Sequence, residues 1–149
     1  MRKLTRYELQ EYRALIRETL EDPFGRSFLL LVYLDNKSEF SGFYLTPYSL
    51  HGERTSFQSL AEMSEKIMDL VSEVLKRDQR GILVRCCERW IEEGLPERAD
   101  FVILFHIGYN SVWTGRLLSV KLGIDCFYEG RERLLKLLEN SAKIKGDEL

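Results

Sequence analysis

Histidine, cysteine and proline are all scarce in this 149-residue chain, at two, three and three residues respectively. The two histidines, His51 and His106, stand far apart, and no CxxC, HxxxH or HExxH spacing occurs, so no metal motif is present and no metal or cofactor is expected. Cys86 and Cys87 are adjacent, with Cα atoms about 3.8 Å apart across a trans peptide, closer than a relaxed disulfide usually permits. Three cysteines is also an odd count, and reduced thiols are the expectation. Few prolines beside a hydrophobic content of 44% exclude the collagen-like and disordered classes.

No apolar run approaches the roughly 20 residues that a membrane helix needs. Nor is there an excess of charge: 22 Lys and Arg against 24 Asp and Glu leave a formal −2, so any grip on nucleic acid would need a local basic patch. The opening residues Met1 to Glu8 contain no apolar h-region of a secretory signal, and the expected location is cytoplasmic.

What is present is a regular alternation of apolar runs and amphipathic stretches. Thr5 and Glu8 form a capping-box pair ahead of Leu9, Tyr12, Ile16 and Leu20 at helical spacing, until Asp22-Pro23 stops the pattern. Residues 28–34 are a continuous apolar run, the pattern of a strand buried on both faces. Phe40 to Tyr48 should return antiparallel to it as a hairpin, and Arg54 to Phe57 could add a short edge. Ser59 and Glu62 open a second helix carrying Leu60, Met63, Ile67, Leu70, Val71 and Val74 on one face. Arg77 to Gly81 interrupts, and Ile82, Leu83, Cys86, Cys87, Trp90 and Ile91 predict a third helix ending at Gly94.

Residues 101–107 repeat the buried-strand pattern. The spacing of Val112, Trp113, Leu117, Val120 and Leu122 then predicts a helix, and Ile124 to Tyr128 a short strand, together a right-handed parallel βαβ unit. A last helix carries Leu134, Leu135, Leu137 and Leu138. The expected fold is thus a single α/β or α+β domain over residues 1–140, with a small mixed sheet, an N-terminal hairpin, a C-terminal parallel βαβ unit and about five helices. Residues 141–149, where the apolar pattern fades, read as a frayed tail.

The segment following residue 107 carries the strongest candidate site. Beyond the carboxyl end of a strand, a helix N-terminus offers free N–H groups and positive dipole to an anion. His106, Gly108, Tyr109, Asn110, Ser111, Thr114 and Arg116 are the candidate ligand-binding residues: Gly108 permits close backbone approach, Asn110 or Ser111 caps, Thr114 gives a hydroxyl and Arg116 a guanidinium fork. No P-loop, GxGxxG or GxSxG motif accompanies them. For His106 itself, inside an apolar strand, a core position is favoured over a catalytic one.

The leading functional expectation is a small binding or regulatory protein without catalysis of its own, engaging a protein partner or a small anionic ligand. A nucleotide-binding or other anion-binding α/β domain, with its site after Ile107, is the alternative. Nucleic acid ranks below both as a partner, and no membrane is expected. In third place, a buried strand ending in Asp35, then a hairpin, helices and a later strand pair, loosely resembles the order of an RNase H-like nuclease. That resemblance implies converging carboxylates on Mg²⁺, for which Asp35, Glu62, Glu65 and Asp125 are the scattered candidates. The chain departs from it where the second central strand ends in His106-Ile107-Gly108 without an acid.

Overall fold

In the computed structural model, which describes residues 5–20, 27–46, 54–76, 88–107 and 112–147, the two apolar runs lie side by side at the centre of one sheet. Ser27–Asn36 (β1) pairs antiparallel with Phe101–Ile107 (β4), from Ser27 opposite His106 to Val32 opposite Phe101. Ser41–Leu45 (β2) returns along the other side of β1 as the expected hairpin, and Thr55–Phe57 (β3) forms the short edge beyond it.

The second half corrects the expected parallel unit. Trp113–Ser119 is a strand (β5), paired antiparallel with β4, and Ile124–Glu129 (β6) pairs antiparallel with β5. The sheet therefore runs β3-β2-β1-β4-β5-β6 with every neighbour antiparallel. Apolar residues at helical spacing mislead here because Trp113 and Leu117 face one side of the sheet while Leu118 is buried on the other, a two-sided burial that imitates a helical stripe. Lys121-Leu122-Gly123 lies in the turn of the β5–β6 hairpin, with Gly123 at φ 67. The architecture is α+β.

Helices cover both faces. Arg6–Leu20 (α1) starts in the expected capping box, where Glu8 N–H donates to Thr5 Oγ1 (3.2 Å) and Thr5 N–H donates to Glu8 Oε1 (3.3 Å). Leu60–Lys76 (α2) follows Ser59, whose Oγ accepts Glu62 N–H at 3.1 Å. Residues 88–92 are helical (α3), the part of the expected third helix that lies within the described residues; Ile82 to Cys87 and the interruption at Arg77 to Gly81 lie outside them. Leu95–Arg98 (α4) is a single turn with Pro96 in its first positions. Arg131–Asp147 (α5) continues beyond Ser141, where fraying was expected, and Ser141 and Ala142 are buried.

Cross-strand register sorts the side chains into two layers. The back layer is aromatic: Phe28 stacks on Phe105 (centroids 4.8 Å apart), Trp113 and Tyr128 meet Phe105 edge-on, and Met63, Ile67, Leu134 and Leu138 of α2 and α5 complete a buried core. The front layer holds Leu29, Leu31, Val102, Leu104 and Leu118, all buried, with Ile16 of α1 and Ile91 of α3. Here α1 is tied to the helices beside it by Arg13–Glu97 (3.4 Å) and Arg17–Glu88 (2.8 Å). Below them Asp100, buried, accepts the Leu34 N–H at 2.7 Å and faces Lys121 Nζ at 3.4 Å. Among the described residues no helix is long and apolar enough to cross a membrane.

Candidate functional site

On the front of the sheet α1 lies beside the β5–β6 hairpin, and the described residues leave Phe127 of β6 exposed. There the register aligns two rows of side chains on the front face: Ser27, which is buried, His106, Thr114 and Glu129 across β1-β4-β5-β6, then Leu29, Leu104, Arg116 and Phe127 one pleat along. The apolar half of the second row is buried. Its outer half is not: Phe127 is 73% exposed, the most exposed large hydrophobic residue of the described sheet.

Phe127 does not stand alone on that surface. The Arg116 guanidinium lies 4.4 Å from its ring centroid. That guanidinium is fixed by a fork onto Asp125, with Nε donating to Oδ1 at 2.8 Å and Nη2 to Oδ2 at 3.2 Å. Three residues on two strands thus stack at the surface, the Asp125 carboxylate on the Arg116 guanidinium and the guanidinium on the exposed Phe127 ring. Next to it, toward the turn, a groove of about 370 Å³ runs between α1 and the β5–β6 hairpin, with Glu8, Glu11 and Asp125 along it and Tyr12, Leu15 and Leu118 among its apolar lining. Burial, with Glu97 and Asp125 adding to it, holds the Tyr12 phenol well above its ordinary ionisation range, so it is present as a neutral hydroxyl.

Of the residues singled out from the sequence, His106, Thr114 and Arg116 come together on this face, while Gly108, Tyr109, Asn110 and Ser111 lie outside the described residues. His106 is exposed rather than a core residue, near the end of β4 on the front face; its Nδ1 lies 3.0 Å from Ser27 Oγ. Thr114 Oγ1 donates to the His106 carbonyl at 3.1 Å. The helix N-terminus on which the anion reading depended is absent, since residues 113–119 are strand, and the Arg116 fork already holds a carboxylate.

The carboxylates considered for a nuclease do not converge. Asp35 accepts Ser41 Oγ at 2.7 Å at the first hairpin, Glu62 accepts Gln58 N–H and pairs with Lys66 at the start of α2, and Asp125 belongs to Arg116. Among the described residues no group of three His, Cys, Asp or Glu side chains could hold a metal ion. Burial, then the neighbouring Asp125, raise the Cys126 thiol, with Arg133 opposing them, so it is a weak nucleophile on the opposite side of β6. Cys86, Cys87 and His51 lie outside the described residues.

Phe127 was the residue that sequence reasoning passed over, although a signal for it exists. In Ile124-Asp125-Cys126-Phe127-Tyr128-Glu129 the period of two places Phe127 with Asp125 and Glu129, on the charged side of the strand. Compared with protein-family models, with curated proteins and with solved structures, the chain gives no significant match in any of the three.

Proposed function

We propose that this protein is a binding module that recognises a protein partner through the open face of β4, β5 and β6, with Phe127 as its anchor. The observation that carries the reading is the exposed Phe127 ring stacked under an Arg116 guanidinium that Asp125 holds in turn. A free aromatic ring in water costs solvation and gains nothing for folding; one stacked on a guanidinium that is itself fixed has less freedom to lose when a partner binds. Aromatic and arginine side chains at the centre, with Thr114, His106 and Glu129 around them, also match the composition of interface centres and polar rims. Chemistry on a small anion is less well supported, since the Thr114 hydroxyl donates to the His106 carbonyl and the Arg116 guanidinium to the Asp125 carboxylate.

The test pairs two experiments on the folded protein. Selection from a displayed random-peptide library should recover binders whose affinity falls at least about tenfold for Phe127→Ala, a variant whose stability should stay within about 0.5 kcal/mol of the parent because the side chain is exposed. In parallel, a thermal-shift screen with nucleotides, phosphosugars and divalent metals should leave the Tm unchanged. Binders indifferent to Phe127, or a nucleotide, phosphosugar or metal that raises the Tm, would overturn the reading.

A further inference from the structure

The backbone of β6 adds a second property to the same surface. Gly130 N–H donates to the Trp113 carbonyl at 2.7 Å, which makes that pair a hydrogen-bonded one in the register of β5 with β6. Bonded pairs alternate along an antiparallel ladder. The N–H and C=O groups of Tyr128, Cys126 and Ile124 therefore turn toward β5, and those of Asp125, Phe127 and Glu129 turn outward, where no described strand pairs with them. The residues whose side chains lie on the front face are the residues whose backbone, among the described residues, has no strand partner at the edge.

Such an edge is a template for another strand, and the side chains decide which strand fits. A second copy of this chain fits poorly. Two β6 strands meeting antiparallel about Phe127 would set Asp125 directly against Glu129, twice, and like charges opposite one another are destabilising. An incoming strand with an apolar residue opposite Phe127 and basic residues two positions to either side has the complementary pattern. Its apolar side chain meets the exposed ring, and its two cations meet Asp125, whose side chain remains 50% exposed despite Arg116, and Glu129, which is exposed. Glu8 and Glu11, along the groove at the Ile124 end of the strand, extend the acidic character in the direction such a peptide would run.

We infer that β6 accepts an extended peptide of basic–x–apolar–x–basic pattern as a seventh, antiparallel strand of the sheet. The inference rests on the binding-module reading and names its partner class. On the far side of the new strand the intervening residues would lie beside Cys126, near Arg133, so they should be neutral.

The test uses the acetylated, amidated peptide TKVLVKT, with binding followed by fluorescence polarisation of a labelled copy at low ionic strength. Four results are expected. The peptide binds the wild-type protein; the charge-reversed TEVLVET binds at least about tenfold more weakly. N-methylation of both lysines and the central leucine, whose N–H groups would face β6, weakens binding at least about tenfold, whereas N-methylation of the two valines changes it by less than about threefold. Phe127→Pro, tolerated because the Phe127 N–H points outward at an edge, keeps the fold by circular dichroism and abolishes binding.

Equal affinity for the charge-reversed peptide, or for the peptide methylated on its lysines and leucine, would overturn the inference. So would sedimentation showing a wild-type dimer that Phe127→Pro dissociates, which would make a second copy the occupant. If library peptides bind in a Phe127-dependent way but TKVLVKT does not, the partner class named here fails while the binding-module reading stands; if no peptide depends on Phe127, both fail.

Discussion

Tyr128 lies directly across the β5–β6 ladder from Gly115, and its hydroxyl passes over the glycine to donate a 2.8 Å hydrogen bond to the carbonyl of Leu104 on β4, one strand further in. The phenol is buried, and burial holds it well above its ordinary ionisation range. A Cβ at residue 115 would stand 1.8 Å from the Leu104 oxygen and 2.8 Å from the Tyr128 hydroxyl. The aromatic ring fills the space left by the missing side chain and joins three strands, as aromatic residues opposite strand glycines do. This pairing fixes the register that brings Arg116 opposite Phe127, and so underlies the candidate site.

Gly115→Ala should therefore destabilise the protein by about 1–3 kcal/mol, the range for overpacking a filled site. Tyr128→Phe should cost about 0.5–1.5 kcal/mol through the lost hydrogen bond. The double variant should not recover the loss from Gly115→Ala, because the closer clash is with backbone. Urea denaturation of the three variants measures all of this; recovery in the double variant would place the conflict at the hydroxyl instead.

Leu31 and Leu104 lie in the front layer with no exposed surface. Each, changed to Ala, should lose about 2–5 kcal/mol in the same assay. A loss well under 1 kcal/mol would mean that this face of the central strands is not a packed layer.

Asp100 joins the end of β1 to the β5–β6 turn, since one oxygen accepts the Leu34 N–H and the other faces Lys121. Asp100→Ala leaves that N–H without its partner and should cost about 1–3 kcal/mol, whereas Lys121→Ala, which removes the longer and more exposed contact, should cost less than about 1 kcal/mol. Equal losses would show that the ion pair, not the backbone bond, is the significant contact.

Tyr12 and Tyr128 both ionise at higher pH in the folded chain than when unfolded, chiefly through burial. Folding favours the neutral phenol, so this contribution is complete below the unfolded value of about 10 and declines as pH rises above it. Urea midpoints should hold steady through mild alkali and fall above about pH 10. The ultraviolet absorbance of these two tyrosinates should appear together with unfolding. Their titration in a chain that remains folded would contradict the burial described here.

Much of this fold is legible in the sequence, for a physical reason that also explains the failure. The β1–β2 hairpin, the Thr5–Glu8 capping box, the Ser59 cap and the long faces of α2 and α5 are local patterns, set by residues within a turn or two of each other. β5 is not local. Its Trp113, Leu117 and Val120 repeat at helical intervals, and what makes it a strand is the fit of Gly115 between Phe105 and Tyr128, which no window along the chain contains. The anion site inherited that error, because its helix N-terminus came from the same reading. Arg116 was singled out for its charge and does lie at the site, but its partners, Asp125 and Phe127, are brought in by the hairpin.

Backbone amide chemical-shift mapping with a library-selected peptide locates the binding surface residue by residue. The largest shifts on titration should fall on Thr114, Arg116, Asp125, Phe127 and Glu129, and Phe127→Ala should remove them. Shifts centred instead on α2 around Met68, another exposed apolar residue, and unchanged by Phe127→Ala, would contradict this placement.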